Sequence, residues 1–264
     1  MDMQYEKELS FIKARMATAY EKFGGEERKI EQKRAFDLVT DLDKNIERFL
    51  TAEIKKGFPF DKVLGEEFSS SETLVGRTWV LDPIDGTCNM ANGLKFFGLQ
   101  AALLDGAEIL LSVVYLPHFD EWYYAVKGEG AWCNGERIWV NDGVELQNAL
   151  VSIGDYPHRN TEMARIEHEA IRNIFPKVGK MRMFGGSCMD FAFTAAGKTH
   201  ACISITHNVW DIAPGLLLCK EAGAKVCNLQ GKPYVFGDDG VIAAANEEVF
   251  ALVKNSFIEA SLNE

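Results

Sequence analysis

The stretch Trp79-Val-Leu-Asp-Pro-Ile-Asp-Gly-Thr-Cys-Asn-Met-Ala-Asn92 decides how the rest of the chain is interpreted. Its first three residues are apolar and predict a short buried strand. Asp82 and Asp85 follow, three residues apart, and Gly86-Thr87 then opens a predicted helix. Carboxylates are ligands for hard divalent cations, and the N–H groups at a helix start attract anions. The stretch therefore predicts a place where metal ions and a phosphate group meet.

The length, charge and cysteine usage of the chain narrow the class of protein. It has 264 residues, of which 47% are hydrophobic, which is enough for a substantial core. The formal net charge of −11 argues against a nucleic-acid polymer or an anionic membrane surface as the main partner. The six cysteines show no paired C-x-x-C spacing, and no run of 18 apolar residues or apolar leader segment occurs. We predict a cytoplasmic protein with reduced, mostly buried cysteines and no membrane span.

The spacing of apolar residues predicts one domain, 1–264, with two differently built halves that meet near residue 145. In the N-terminal half, amphipathic helices are predicted over 4–23 and from Thr40 or Asp41 to about Lys56, with a short strand at Val63-Leu64. Asp-Gly and Asn-Gly hairpin signals then indicate a largely antiparallel sheet with strands at 97–104, 108–116, 121–126 and 137–140. In the C-terminal half, strands at 149–153, 181–184, 200–205, 225–228 and 241–245 alternate with helices at 160–174, 187–197, 211–222 and 247–262.

Acidic residues stand at five predicted boundaries between elements, where a site can be built: Asp43, Glu66, Asp82, Asp85 and Asp211. Taken singly, Asp211 is interpreted as a helix N-cap, Asp43 as an exposed first-turn acid and Glu66 as a solvated loop acid. The pair formed by Asp82 and Asp85 is different, because an ordinary turn needs only one carboxylate. This pair favours a metal site.

Two other kinds of phosphate chemistry are not supported by the sequence. A cysteine phosphatase needs an Arg six residues after its Cys, and none of the six cysteines has one. An aspartyl-phosphate enzyme needs Asp-x-Asp-x-Thr/Val after a buried strand. Asp41-Leu-Asp43-Lys-Asn45 ends in the wrong residue and lies at a predicted helix start.

These motifs resemble those of the inositol monophosphatase family, which are Mg²⁺-dependent, lithium-sensitive phosphomonoesterases. The matching segments run in the family's order: Asp37-Leu-Val-Thr-Asp-Leu-Asp43, Gly65-Glu-Glu67, Trp79-Val-Leu-Asp-Pro-Ile-Asp-Gly-Thr87, Gly128-Glu-Gly-Ala-Trp-Cys-Asn-Gly135, Gly185-Gly-Ser187 and Trp210-Asp-Ile-Ala-Pro-Gly215. The resemblance implies an α/β fold, a layered αβαβα sandwich of the sugar phosphatase type. It also implies a homodimer and hydrolysis of a small sugar or polyol phosphate by a metal-activated water, without a phospho-enzyme.

The resemblance further implies a role for each matching residue. Two or three Mg²⁺ ions per site would be held by Glu66, Asp82, the backbone carbonyl of Ile84, Asp85 and Asp211. The attacking water would be oriented by Glu66 and by the pair of Thr87 and Asp43. Phosphate and substrate would be bound by Asp85, Gly86, Thr87, Gly185, Gly186, Ser187 and Ser204.

The substrate side departs from the inositol pattern. Inositol-phosphate members of the family commonly carry a Glu shortly before the Trp-Asp motif, and Ser204 stands there in this chain. A broad-specificity or nucleotide phosphatase, acting on NADP or adenosine 3′,5′-bisphosphate, is therefore an alternative. An inactive regulatory or binding member is disfavoured, because all five acids and Thr87 are present. Cys88, beside the predicted phosphate site, is interpreted as a helix-packing residue.

Overall fold

The computed structural model of the chain describes residues 4–25, 29–34, 37–69, 74–155 and 160–262, and only the backbone of residues 33, 34 and 37. Its α-helices are α1 Glu6–Phe23, α2 Asp41–Gly57, α3 Thr87–Ala91, α4 Thr161–Ile174, α5 Ser187–Ala195, α6 Val209–Glu221 and α7 Glu247–Leu262. Its strands are β1 Ile30–Arg34, β2 Asp37–Thr40, β3 Lys62–Gly65, β4 Arg77–Asp85, β5 Gly98–Asp105, β6 Glu108–Leu116, β7 Glu121–Val126, β8 Gly130–Cys133, β9 Glu136–Ile138, β10 Leu150–Ile153, β11 Lys180–Arg182, β12 Ala201–Ser204, β13 Lys225–Asn228 and β14 Val241–Ala244.

Two large sheets dominate the fold. The first has the order β3-β4-β5-β6-β7-β8-β9, and every neighbouring pair in it is antiparallel except β3 with β4. The second has the order β11-β10-β12-β14-β13, in which β10 is parallel to both of its neighbours and β14 is antiparallel to both of its own. A separate hairpin pairs β1 with β2. The antiparallel first half and the alternating second half predicted from the sequence are confirmed.

Three apolar cores lie between the two large sheets and the helices that pack on them. Strand β4 shows how, because successive side chains of a strand point to opposite faces. Trp79 and Leu81 pack with residues of α1 and α2 on one face, and Val80 packs with residues of α5 and α6 on the other. The core around α5 and α6 also includes Cys202 and Val241 of the second sheet, whose outer face packs on α4 and α7 in a third core. The layers are thus αβαβα, as the resemblance implies.

Two differences from the sequence prediction concern local elements. Strand β8 was not predicted, because its four residues Gly130–Cys133 follow a glycine-rich turn and are too short to show a period. Helix α6 begins at Val209, two residues before Asp211, so that Pro214 lies inside the helix instead of near its start. Within the residues described, no helix is long and apolar enough to cross a membrane.

Candidate active site

A cavity of about 260 Å³ lies where β3, β4 and β12 end and where α3, α5 and α6 begin. The predicted site residues that line it are Glu66, Asp82, Ile84, Asp85, Gly86, Thr87, Gly185, Gly186, Ser187, Ser204 and Asp211. Asp43 is the one predicted residue that does not line the cavity, and it contacts the lining residue Thr87. The structure therefore brings together side chains from segments that are up to 145 residues apart, from Glu66 to Asp211.

The central stretch turns sharply where β4 ends. The pairing of β4 with β5 shifts register between Asp82 and Asp85, and Pro83 lies within the shift, where a strand can accommodate a residue without an N–H. Gly86 follows in the left-handed region, with a φ of 88°. A Cβ at Gly86 would lie 2.8 Å from the carbonyl oxygen of Phe96. Only glycine fits both the conformation and the space, so the turn into α3 depends on it.

Asp43 supports Thr87 from behind the cavity. Its Oδ2 accepts hydrogen bonds from the backbone N–H of Thr40, at 2.9 Å, and from the Thr40 hydroxyl. The first of these bonds, together with the bond that the Thr40 side chain accepts from the backbone N–H of Asp43, forms a capping box at the start of α2. Its Oδ1 lies 2.9 Å from Oγ1 of Thr87, which is also 2.8 Å from the carbonyl oxygen of Ile84. The carboxyl group is fully buried, so its interpretation as an exposed first-turn acid was wrong. Burial raises the pKa of Asp43, and the hydrogen bonds from Thr40 and Thr87 oppose that rise.

Gln100 links Asp82 and Asp85, and sequence reasoning missed it. Its Nε2 lies 3.2 Å from Oδ2 of Asp82, 3.2 Å from Oδ2 of Asp85 and 3.1 Å from Oγ of Ser187. Gln100 is paired directly with Asp82 across β4 and β5 and is buried. The available signal was an amide in the otherwise apolar run 97–104, since a buried polar side chain needs a partner.

The carboxyl group of Asp82 lies where a negative charge is unfavourable. Its Oδ1 is buried and has no hydrogen-bond partner within the described structure. Burial raises the pKa of Asp82 well above its usual value, and the negative charges of Glu66, Asp85 and Asp211 raise it further. A buried anion of this kind needs a positive partner.

Asp85 joins the first sheet to the start of α5. Its Oδ2 accepts hydrogen bonds from the backbone N–H of Cys188 and from the hydroxyl of Ser187, the latter at 2.8 Å. The same Ser187 oxygen lies 2.8 Å from the backbone carbonyl of Asp211. Burial raises the pKa of Asp85, while the hydrogen bonds from Cys188 and Ser187 lower it. Asp85 therefore serves as a cap for α5 as well as a wall of the cavity.

Asp211 enters from α6 and is held by the loop that precedes the helix. Its Oδ2 accepts hydrogen bonds from Oγ1 of Thr206, at 3.0 Å, and from Nδ2 of Asn208, at 2.9 Å. The residue at the N-cap position is Asn208, and Asp211 lies in the first turn. The interpretation of Asp211 as the N-cap was therefore wrong. The position instead leaves its second oxygen, Oδ1, outside these two hydrogen bonds.

The cavity has further lining residues that were not assigned to the site from the sequence: Leu38, Cys88, Gly154, Asp155, Ile205 and Thr206. Asp155 and Ser204 stand at or just after the carboxyl ends of β10 and β12, which are parallel neighbours, so their side chains reach the same edge of the second sheet. Cys88 is exposed, so its interpretation as a helix-packing residue was wrong. Four of the other five cysteines are buried, and all six are free thiols.

The donors in the cavity suit hard divalent cations. Five carboxylates line it, and among its described lining residues there is no Lys, Arg or His. No group of three His, Cys, Asp or Glu side chains in the described part of the chain converges on one point as the ligands of a single ion would. Mg²⁺ does not require that, because it keeps several waters and uses one or two carboxylates per ion. The Oδ1 of Asp82, which has no partner among the described residues, and the five carboxylates of the lining fit such ions.

Comparisons with known proteins point to one family. The sequence model of the inositol monophosphatase family matches residues 4–259. A protein of Aquifex aeolicus named fructose-1,6-bisphosphatase/inositol-1-monophosphatase is 37% identical over 214 residues, which are 81% of this chain and 80% of that protein. The crystal structure of the extragenic suppressor protein suhB from Bartonella henselae aligns with a TM-score of 0.82 and 26% identity over 92% of this chain and 94% of that one. A structure described as IMPase/NADP phosphatase complexed with Mg²⁺ and phosphate aligns with a TM-score of 0.78 and 26% identity over 94% of this chain and 92% of that one.

Proposed function

The chain belongs to the inositol monophosphatase family, and on that premise we propose that this phosphatase hydrolyses a small sugar or polyol phosphate with Mg²⁺ as its cofactor. The observation that carries the proposal is the cavity lined by five carboxylates and by no described basic residue. A phosphate ester is itself an anion, so it can enter this cavity only together with cations. A relative of known structure that is complexed with Mg²⁺ and phosphate supports the same cofactor.

The residues that would hold two or three Mg²⁺ ions are Glu66, Asp82, Asp85, Asp211 and the carbonyl of Ile84. When bound, the ions would neutralise the phosphate and lower the pKa of a water molecule from about 15.7 toward 7. Asp82 fits this role best, because its buried Oδ1 has no other partner among the described residues. Asp85 and Asp211 are each held by hydrogen bonds to Oδ2, which fix the orientation of the carboxyl group at the cavity.

Thr87 and Glu66 would orient the attacking water. The Thr87 hydroxyl has two acceptors in contact, Oδ1 of Asp43 and the carbonyl of Ile84, so its one hydrogen is donated to one of them. Its remaining lone pairs can accept a hydrogen bond from a water in the cavity. Glu66 lines the same cavity and would take the proton of that water. No covalent phospho-enzyme is needed.

The substrate side supports a small polyhydroxylated alcohol. Ser204 and Thr206 bring hydroxyl groups to the cavity, and Asp155 brings a carboxylate. These groups match the hydroxyls of a sugar or polyol as hydrogen-bond partners. The volume of about 260 Å³ is at the small end for a ligand site. The name of the Aquifex relative, which joins a fructose bisphosphate with inositol monophosphate, supports the same substrate class.

A nucleotide phosphatase is the second candidate, supported by the structural relative described as an NADP phosphatase. A substrate panel separates the two. The purified protein with Mg²⁺ is given inositol-1-phosphate, fructose-1,6-bisphosphate, NADP and adenosine 3′,5′-bisphosphate, and phosphate release is measured. We expect the highest kcat/KM on a sugar or polyol phosphate and loss of activity with a chelator. Higher kcat/KM on the nucleotides would select the alternative, and no release from any ester would refute the proposal.

The homodimer and the cytoplasmic location that we expect from the sequence remain predictions. Light scattering on the purified protein tests the first. Fractionation of cells tests the second.

A further inference from the structure

A second buried carboxyl group lies on α2, outside the cavity. Glu47 follows Asp43 by four residues, so the two side chains share one face of the helix. Both are buried, and Glu47 is only 2% exposed. Asp43 reaches Thr87, whereas Glu47 reaches the turn that follows β3 and carries Glu66.

The carboxylate of Glu47 binds two successive backbone amides of that turn. Its Oε2 accepts a hydrogen bond from the N–H of Glu67 at 2.7 Å, and its Oε1 accepts one from the N–H of Phe68 at 3.1 Å. Bonds from neutral N–H groups to a carboxylate are among the stronger hydrogen bonds in proteins. Arg48, the next residue of α2, places its guanidinium 4.6 Å from the centre of the Phe68 ring. Helix α2 thus holds the turn through two adjacent side chains.

Gly65 makes room for this contact. A Cβ added at Gly65 would overlap the carboxyl group of Glu47, so any residue other than glycine at position 65 would displace that carboxyl group. The N–H of Glu66 donates to the carbonyl of Leu81 on β4, at 3.2 Å. The backbone of Glu66 is therefore held by β4 through its own N–H. The two residues after it, Glu67 and Phe68, are held by Glu47 through theirs.

We propose that Glu47 is a positioning residue that aims the carboxylate of Glu66 into the cavity. The inference rests on the proposed function, in which Glu66 is a metal ligand and takes the proton of the attacking water. It explains why the Gly-Glu-Glu segment needs its glycine and why a buried acid stands one turn beyond Asp43. Residues that orient metal ligands typically contribute about 10- to 100-fold to metal affinity or activity.

The test compares Glu47→Ala and Glu47→Gln with the wild-type protein. We expect Glu47→Ala to raise the Mg²⁺ concentration for half-maximal activity, and the dissociation constant of Mg²⁺ measured by calorimetry, by about 10- to 100-fold. Glu47→Gln keeps one acceptor oxygen and should lose less. Gly65→Ala should resemble Glu47→Ala, because it displaces the same carboxylate from the other side.

Hydrogen exchange supplies a readout that does not depend on activity. The amides of Glu67 and Phe68 should exchange faster in Glu47→Ala, because they lose their acceptor. Glu53→Ala is the matched control, since Glu53 lies on the same helix but pairs at the surface with Lys56 and Arg15. It should leave Mg²⁺ binding and both amides unchanged.

A double-mutant cycle separates positioning from a general structural role. If Glu47 acts through Glu66, adding Glu47→Ala to Glu66→Gln should cost no further activity. Two results would overturn the inference, provided that the wild-type protein is active and Glu66→Gln is impaired. One is a folded Glu47→Ala that binds Mg²⁺ as the wild type does. The other is a double variant in which the activity losses of Glu47→Ala and Glu66→Gln add in full. If the wild-type protein hydrolyses no ester, the proposed function fails instead, while the exchange of the two amides still reports whether Glu47 holds the turn.

Discussion

The two sides of the cavity are built in different ways. One side, which we call the carboxylate wall, consists of Glu66, Asp82, Asp85 and Thr87 and comes from the ends of β3 and β4 and the start of α3. The other, which we call the substrate wall, consists of Asp155, Gly185–Ser187 and Ser204–Thr206 and comes from three separate connections of the second half. Within the carboxylate wall, Asp82 and Asp85 lie only three residues apart on β4, and β4 is paired with β5. The substrate wall depends on the packing of α5, α6 and two strands.

The two walls differ in how their side chains are supported and in which chemical groups they present to the cavity. The carboxylate wall is supported from behind by buried side chains, namely Asp43 behind Thr87 and Gln100 between Asp82 and Asp85. The substrate wall exposes Asp155 and supplies the hydroxyl groups of Ser204 and Thr206. Changes in the first wall should therefore affect turnover and Mg²⁺ binding, and changes in the second should affect the choice of ester.

The largest effect is expected for Asp85→Asn in the carboxylate wall. The amide oxygen can still accept the hydrogen bond from Cys188, so the fold should be kept, but the charge that attracts Mg²⁺ is lost. We expect kcat/KM to fall by more than about 100-fold, beyond the loss typical of residues outside the ligand set. Phosphate release measures this, and circular dichroism checks the fold. Full activity in the variant would remove Asp85 from the metal site.

The next effect is expected for Gln100→Met, which keeps the size of the side chain and removes the amide. Asp82 and Asp85 then lose the donor between them, and we expect about 10- to 100-fold weaker Mg²⁺ activation. Ser112→Ala is the matched control, because Ser112 is a buried polar residue of the same sheet whose hydroxyl has no partner in the described structure. Equal Mg²⁺ dependence in wild type and Gln100→Met would contradict the role of Gln100.

A smaller effect is expected for Ser204→Ala in the substrate wall. Loss of one hydroxyl from the cavity should raise KM for the preferred ester by about 2- to 12-fold, equivalent to ~0.5–1.5 kcal/mol, with little change in Mg²⁺ dependence. Steady-state kinetics on two esters measures it. Ser152→Ala serves as the control, because Ser152 is buried in the same sheet outside the cavity lining. A loss in kcat without a change in KM would place Ser204 in the chemistry instead.

The last prediction concerns stability, with no effect expected on activity, and involves a buried acid behind the substrate wall. Burial, reinforced by the charge of Asp155, raises the pKa of Glu167 on α4 to about 8. The folded protein therefore keeps this proton while the unfolded chain, with a pKa near 4.5, releases it. Its contribution to stability is full below pH 4.5 and is lost as the pH rises towards 8.

Glu167→Gln should remove that dependence and increase the free energy of unfolding at pH 8 by on the order of 1–2 kcal/mol relative to wild type. Urea unfolding at pH 5.5 and pH 8 measures it. Glu162→Gln, at the exposed start of the same helix, should change neither value by more than about 0.5 kcal/mol. Parallel pH profiles of the wild type and Glu167→Gln would contradict the prediction.

The sequence by itself predicted the acidic turn at Asp82 and Asp85, whereas its resemblance to a known family implied the order of the layers. Asp82, Asp85 and Gly86 lie close in sequence to an apolar strand, so a local pattern was enough to indicate their chemistry, and periodicity was enough to place strands such as 108–116 and 121–126. Local patterns failed for Asp43 and Cys88, because exposure is decided by what packs against a residue from elsewhere in the chain.

Only the tertiary structure decided which distant groups support the central stretch from Trp79 to Asn92. Gln100 reaches Asp82 through strand pairing, Ser187 reaches Asp85 across 102 residues, and Glu47 reaches the turn of Glu66 from another helix. Each contact joins a carboxylate or its turn to a donor or acceptor in a different element, and sequence spacing holds no information about such a distance. The residues of the stretch supply the negative charge that predicts a metal site, and the fold supplies the partners that hold those residues in place.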